Sequence, residues 1–304
     1  MTSFEPVQHL VYHSPMEHSL TLLASGTPIP DVRRWGSSAV VTLGDEHLMF
    51  DCGYSATFKL HQAGMKSTDV DRLFLTHHHS DHIADYPALL LSRFDMSIGT
   101  TNPLLVYGPS HTQLLTDRLI GEDQGAFWPD IVARTSHPLS LGAYERRTGQ
   151  LPRDVPRVEA TDLTPGDTVE GENWLVRTAE VKHVQPYLDS LAYRLEASGR
   201  CIVFAGDTVA CETLIELAAD ADVLVMDCVQ CSIDMSEDPA YSTYISGSIE
   251  AGVAAQAAGA KHLVLVHQHP AMNSDEKKEM ALEDVSGVFD GIVTWGEEGM
   301  VIPW

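Results

Sequence analysis

The chain has 304 residues, 44% hydrophobic and 20% charged, and its 43 Asp and Glu against 19 Lys and Arg leave a formal charge of −24. That composition excludes a disordered chain and suits one large core or at most two domains. So acidic a field repels phosphodiester backbones and anionic membranes, which disfavours nucleic acid and makes a small-molecule substrate the expected partner. At the amino terminus, Met1-Thr-Ser-Phe-Glu-Pro lacks the basic and apolar regions of a secretory leader, and no run of 18 apolar residues occurs anywhere. The expectation is a cytoplasmic protein whose five cysteines, Cys52, Cys201, Cys211, Cys228 and Cys231, are free thiols. Short apolar runs predict strands over 20–24, 38–43, 47–51, 72–75 and 104–107, and helical spacing predicts helices over 56–63, 84–94 and 112–120. The next stretch, 122–165, carries Pro129, Pro138, Pro152, Pro156 and Pro165 and reads as an irregular insertion within a single domain spanning 1–304. Beyond it, strands are predicted over 175–181, 190–195, 201–205, 223–226, 263–266 and 291–293, with helices over 212–219, 246–258 and 275–288. Interleaving of this kind points to an α/β fold with sheets buried under helices.

The densest chemistry lies in Leu73-Phe-Leu-Thr-His77-His78-His79-Ser-Asp81-His82, where an apolar strand runs out into four imidazoles and a carboxylate. In an extended chain His77 and His79 point the same way and His78 points away, so two nitrogen ligands converge on one metal. Asp81 and His82, just beyond in the turn, can face a second metal; two-metal hydrolytic sites hold their ions about 3.5–4 Å apart. The plain alternative is a solvated histidine-rich loop. Against it, three further apolar strands run out onto a ligand type, at His183, Asp207 and His267. Strand ends meet at one edge of an open sheet, so residues far apart in sequence can share a site there. Asp207, following Gly206 at the end of a buried strand, has two oxygens with which to bridge both ions. His269, two residues past His267, is aimed toward the same site by strand alternation, and it can serve as ligand in place of His267 or as general acid. Cys228-Val-Gln-Cys231 has the spacing of a redox or zinc pair but lacks a second pair to complete a tetrahedral site.

These residues resemble the metallo-β-lactamase superfamily, whose signature His-x-His-x-Asp-His is matched by His77, His79, Asp81 and His82. Within it the chain is most similar to the branch holding ribonuclease Z and the small arylsulfatases. Leu22-Leu-Ala-Ser-Gly-Thr, Met49-Phe-Asp51-Cys-Gly, Val106-Tyr-Gly108-Pro109, Phe204-Ala-Gly-Asp207-Thr208 and Lys261-His-Leu-Val-Leu-Val-His267 carry the likeness over roughly 18–270. The resemblance implies an αββα sandwich, two mixed sheets flanked by helices, in a homodimer. It implies two zinc ions, with manganese or iron as substitutes: His77, His79 and His183 on the first, Asp81, His82 and His267 on the second, and Asp207 bridging. A hydroxide between the ions would be the nucleophile, Asp81 would handle its proton, and Asp51 would fix a ligand histidine.

Departures from the branch weigh against ribonuclease Z itself. Its enzymes carry His-Glu-Ala-Thr where this chain has Met226, Asp227, Cys228 and Val229, and the partner histidine falls at Ile245. The insertion holds five arginines, no lysine and seven acidic residues, which is no net clamp for folded RNA. Arg146, Arg147, Arg153 and Arg157 could nonetheless meet a small anion, beside an apolar wall of Phe127, Trp128 and Tyr144. The expectation is therefore a dinuclear hydrolase of a small ester (aryl sulfate, phosphodiester or lactone), with catalytic Asp81 and His269. A transfer-RNA 3′-processing endonuclease is the first alternative, and an iron-dependent thiol or persulfide oxidoreductase the second.

Overall fold

The computed structural model describes residues 18–99 and 102–304; Met1-Thr-Ser-Phe-Glu-Pro lies outside the described residues. The chain opens with β1 (His18–Ala24), β2 (Ser38–Leu43), β3 (Glu46–Phe50) and α1 (Ala56–Gln62). Then come β4 (Arg72–Phe74), α2 (Ser80–Ile83), α3 (Tyr86–Met96), β5 (Leu104–Gly108) and α4 (Thr112–Ile120). Next are α5 (Trp128–Ser136), α6 (Pro138–Arg146), β6 (Val158–Asp162), β7 (Thr168–Glu170), β8 (Trp174–Glu180), β9 (Leu191–Ala197) and β10 (Arg200–Phe204). The remainder is α7 (Glu212–Leu217), β11 (Val223–Asp227), α8 (Ser232–Glu237), α9 (Ser248–Ala258), β12 (His262–Val266), α10 (Asp275–Ser286), β13 (Ile292–Trp295) and β14 (Val301–Pro303). No helix among the described residues is long and apolar enough to cross a membrane.

Two seven-stranded sheets result, ordered β14-β1-β2-β3-β4-β5-β6 and β13-β12-β11-β10-β9-β8-β7. Each is mixed: antiparallel from β14 to β3 and from β10 to β7, parallel from β3 to β6 and from β10 to β13. Strand alternation divides the apolar residues among three layers. Leu22, Phe50 and Phe74 of the first sheet meet Tyr193, Ile202, Phe204 and Val264 of the second between the sheets. Leu73, Met49 and Val106 face outward onto Leu60, Tyr86 and Leu89 of α1 and α3. Val203, Leu224 and Leu263 face outward onto Leu214, Ala251, Ala255 and Val285 of α7, α9 and α10. The helix–sheet–sheet–helix sandwich that the resemblance implies is the observed fold. Its centre is aromatic: Phe50 stacks on Phe204 at 3.9 Å and on Phe74 at 5.1 Å between ring centroids, directly behind the strand ends that carry His77 and Asp207.

The strands and helices expected from periodicity form within a few residues of their expected bounds. Three strands escaped the pattern, β6, β7 and β14, and all three are sheet edges. An edge strand packs fewer side chains, so its sequence need not alternate. The segment 122–165 is not irregular, as its prolines suggested, but contains α5, α6 and β6. Pro129 and Pro138 fall in the first turns of α5 and α6, where no N–H is needed and a fixed φ favours the helix. Arg134, Arg147 and Arg153 there are engaged by α3 rather than presented as an anion clamp. Arg134 pairs with Asp95 at 2.6 Å, and Arg147 donates to the Asp95 carbonyl. Buried Arg153 donates to the Phe94 carbonyl and lies over the rings of Phe94 and Tyr144. Tyr144 is itself buried, with its hydroxyl accepting from Gly99 N–H, so it is a packing residue of this seam.

Candidate metal centre

Strands β3, β4, β8, β10 and β12 end toward a common region, and three of the connections leave in the left-handed region: Asp51 after β3 (φ 58°), Gly206 after β10 (φ 66°) and His267 after β12 (φ 61°). Such a turn swings the next side chain off the strand's alternation. At Gly206 a side chain is also excluded by space, since a Cβ would stand 2.9 Å from Thr76 Cβ. At His267 the turn costs of order 1–2 kcal/mol for a residue with a Cβ, which the surrounding contacts offset. Beyond β4 the chain runs through His77 and His78 to His79, which precedes α2, and the first turn of α2 carries Asp81 and His82.

The side chains gather in two groups, His77, His79, His183 and Asp207, and Asp81, His82, Asp207 and His267, each with donor atoms within 4.8 Å of one another. Asp207 belongs to both. In the first group His79 Nδ1 lies 3.0 Å from His77 Nε2 and 3.2 Å from His183 Nε2, with Asp207 Oδ2 3.9 Å from both Nε2 atoms. In the second, His267 Nε2 lies 3.0 Å from Asp81 Oδ2 and 3.2 Å from Asp207 Oδ2, and His82 Nε2 lies 3.3 Å from Asp207 Oδ1. His269 joins neither group. Strand β12 has ended and the left-handed turn at His267 breaks the alternation, so the ring of His269 instead accepts from Ala271 N–H at 3.1 Å. His78 points away, to Thr112 Oγ1 at 2.9 Å. Cys228 and Cys231 are buried behind the second sheet and belong to neither group; Cys231 Sγ faces Asp234 and Lys277.

The far nitrogens of three donor rings are held, while the buried Nδ1 of His267 has no hydrogen-bond partner. His82 Nδ1 donates to Asp51 Oδ2 at 2.8 Å, and His183 Nδ1 donates to the Tyr244 carbonyl at 2.7 Å. Thr76 Oγ1 donates to Asp51 and accepts from His77 Nδ1 at 3.0 Å. These bonds set the tautomer and leave Nε2 of each ring with a free lone pair directed inward. Asp51 was expected to fix a histidine of the site, and His82 is the one it holds; Thr76 and Tyr244 were not legible as site features, since a threonine at a strand end and a backbone carbonyl carry no sequence mark.

Electrostatics favour a cation here. Burial, and then the neighbouring His82, hold the His77 imidazole well below its ordinary range, so it is neutral and available as a ligand. For Asp207 burial acts upward, yet His267 and His82 keep its carboxyl well below the usual carboxylate range. Burial lowers His82, but Asp207 and Asp51 outweigh it and raise the ring well above an ordinary histidine. The cluster thus calls for positive charge, which a proton or a divalent ion can supply. Nitrogens about 2.0–2.1 Å from a tetrahedral zinc stand roughly 3.3 Å apart, close to the imidazole spacings in the first group. His82 Nε2 is buried with no hydrogen-bond partner. The residues therefore fit two divalent ions with nitrogen and carboxylate donors.

The backbone beneath the second group leaves no room for side chains. A Cβ on Gly53 would stand 1.9 Å from the Asp81 carbonyl oxygen, and one on Gly36 would stand 2.5 Å from it. Gly53→Ala is expected to displace the first turn of α2, costing about 1–3 kcal/mol and lowering metal content. Thermal unfolding and metal analysis of the variant check this; a wild-type melting temperature with full metal would refute it.

Among known proteins, residues 18–121 match the family model of the anti-Pycsar protein Apyc1, and residues 129–268 that of the β-lactamase superfamily domain. Ribonuclease Z of Mycobacterium sp. (strain KMS) is 33% identical over 255 residues, covering 83% of this chain and 84% of its own. Ribonuclease Z of Mycobacterium bovis (strain BCG / Pasteur 1173P2) is 30% identical over 277 residues, covering 88% and 93%. In fold, the chain is similar to the metallo-β-lactamase fold protein YhfI from Bacillus subtilis, with a TM-score of 0.68 and 20% identity over 94% of this chain and 98% of the other. Human tRNase Z, short form, has a TM-score of 0.64 and 20% identity, covering 93% and 98%.

These relatives overturn the expectation that nucleic acid is disfavoured as a partner, because proteins named for ribonuclease activity share about a third of this sequence over most of its length. A net charge of −24 averages over the whole surface, whereas a phosphate meets the local field of the centre, which bound cations would dominate.

Proposed function

The chain belongs to the ribonuclease Z-like branch of the metallo-β-lactamase superfamily of metal-dependent hydrolases, and from that premise we propose that it cleaves phosphodiester bonds of RNA as a transfer-RNA 3′-end endonuclease. The observation that carries the reading is the pair of four-donor groups sharing Asp207. Two divalent ions, zinc by the donor set, supply Lewis acidity at phosphoryl oxygens and acidify water. His77, His79 and His183 would hold one and Asp81, His82 and His267 the other, with Asp207 common to both groups. Asp81 stays ionised, since the hydrogen bond from His267 and the neighbouring His82 outweigh the upward effect of its burial. Its carboxylate can therefore accept a hydrogen bond from the attacking water and orient it in line with the phosphorus.

Departure of the leaving oxygen is handled differently from the branch pattern. Asp227, at the position of the branch glutamate, is buried and accepts from Ser246 N–H at 2.7 Å, one residue past Ile245. The carboxyl still reaches the segment its counterpart would brace, but Ile245 has no proton to give. This favours a second reading, cleavage of small phosphodiesters whose leaving group needs no acid.

The test is cleavage by the metal-quantified protein of a transfer-RNA precursor with a 3′ trailer, beside a bis(aryl) phosphodiester. Precursor cleavage at the 3′ end, lost in Asp81→Ala, is expected. Turnover of the small diester alone would sink the RNA reading, and iron with oxygen uptake on thiols would sink hydrolysis altogether. Chelation is expected to abolish turnover and to lower the melting temperature, because ions bound only by the folded chain stabilise it; differential scanning calorimetry before and after removal measures this, and an unchanged transition would speak against metal at the buried donors.

A further inference from the structure

The centre opens on one side. His79 is partly exposed while the other three donors of its group are buried, so a phosphate reaching the first group approaches over His79. Aromatic residues from separate loops lie close to the segments that carry these donors. On the α2 side, Tyr54 Oη meets Ser80 Oγ at 2.8 Å, and Ser80 lies between His79 and Asp81. Trp35 precedes Gly36, which packs against Tyr54 and the Asp81 carbonyl. Trp35 and Tyr54 are 39% and 37% exposed. On the His183 side, the Tyr244 ring lies 6.2 Å from the His183 ring, and Tyr241 meets Tyr244 edge-on at 5.1 Å. Both tyrosines are partly exposed.

Charge sharpens the meaning of this rim. RNA-binding surfaces commonly gain affinity by neutralising phosphates with Lys and Arg, and three of the five insertion arginines, Arg134, Arg147 and Arg153, are committed to α3. Base stacking on aromatic rings is the other general source of affinity for single strands and tolerates any sequence. We propose that Trp35 and Tyr54 on one side of the centre, and Tyr241 with Tyr244 on the other, form a nucleobase-binding rim that holds the bases flanking the scissile phosphate by stacking. The inference rests on the RNA phosphodiester reading for its ligand class but makes a separate prediction about binding.

The experiment compares equilibrium binding of uridine 5′-monophosphate and ribose 5-phosphate to the metal-loaded protein by calorimetry. Both offer the same phosphate to the ions, and only the first carries a base. The nucleotide is expected to bind roughly 5- to 100-fold more tightly, the range for one base–aromatic stack. Tyr241→Leu and Trp35→Leu should each reduce that ratio, and Tyr241→Phe, which keeps the ring, should retain it. Equal affinities for the two ligands in the wild type, or a ratio that survives both leucine substitutions, would overturn the rim. A base preference that the leucine variants lose, in a protein that leaves the transfer-RNA precursor intact, would keep the rim and reject the endonuclease reading.

Discussion

Asp207→Ala is expected to abolish hydrolysis, by more than the roughly 10²–10³-fold that deleting a single electrostatic element of an active site costs, and to leave the protein with less than its full metal. Asp207 is the one residue common to both donor groups, with its oxygens 3.2 Å from His267 Nε2 and 3.3 Å from His82 Nε2. Its loss would remove a donor from both groups at once and deprive two buried imidazoles of their nearest shared anion. Asp207→Asn makes the sharper comparison: the shape is kept while the charge goes, so the fold should survive and the metal should not. Metal analysis with single-turnover cleavage decides the matter, and activity within threefold of wild type in either variant would remove Asp207 from the centre.

Asp51→Asn should weaken metal binding at the second group by about 10–100-fold, the usual effect of losing an outer partner of a ligand histidine. Asp51 Oδ1 accepts from Thr76 N–H at 2.7 Å, while Oδ2 accepts from Thr76 Oγ1 at 2.9 Å and from His82 Nδ1 at 2.8 Å. Asparagine can keep the bond from Thr76 N–H, but its NH₂ then faces His82 Nδ1. The ring must accept there, which moves its proton to Nε2, the atom directed at Asp207. A ligand nitrogen is thereby blocked without deleting any ligand. Asp51→Ala is harsher, leaving three buried donors unsatisfied at about 1–3 kcal/mol each, and should unfold more easily as well. Titration of the metal-free Asn variant with zinc measures the effect; two ions bound with wild-type affinity would show that Asp51 is a turn residue and nothing more.

Much of this protein was written locally. Periodicity marked the strands whose ends carry the site, because a strand buried on both faces must be apolar along its length. The cluster from His77 to His82 announced metal chemistry, because four imidazoles and a carboxylate within six residues have little structural use. His183, Asp207 and His267 were found by the same logic, each following an apolar run. The net charge misled, since it carries no information about where on the surface charge resides.

Other features existed only once the two sheets had closed on each other. Whether His267 or His269 turns inward depended on a left-handed residue at 267, a conformation that the surrounding fold imposes on a histidine that would not choose it. The bond from Asp51 to His82 joins residues 31 apart, and the Tyr244 carbonyl that orients His183 lies 61 residues from it. The prolines of α5 and α6 read as breaks until helix starts were visible around them. Sequence by itself determined the donor types, the strands that carry them and an α/β fold with sheets under helices, because periodicity and side-chain chemistry are properties of neighbouring residues; the αββα arrangement came only as what the family resemblance implies. Tertiary structure alone decided which nitrogen of His77, His82 and His183 faces inward and whether His267 or His269 joins the donors, because those depend on contacts between segments whose spacing along the chain places no constraint on their spacing in space.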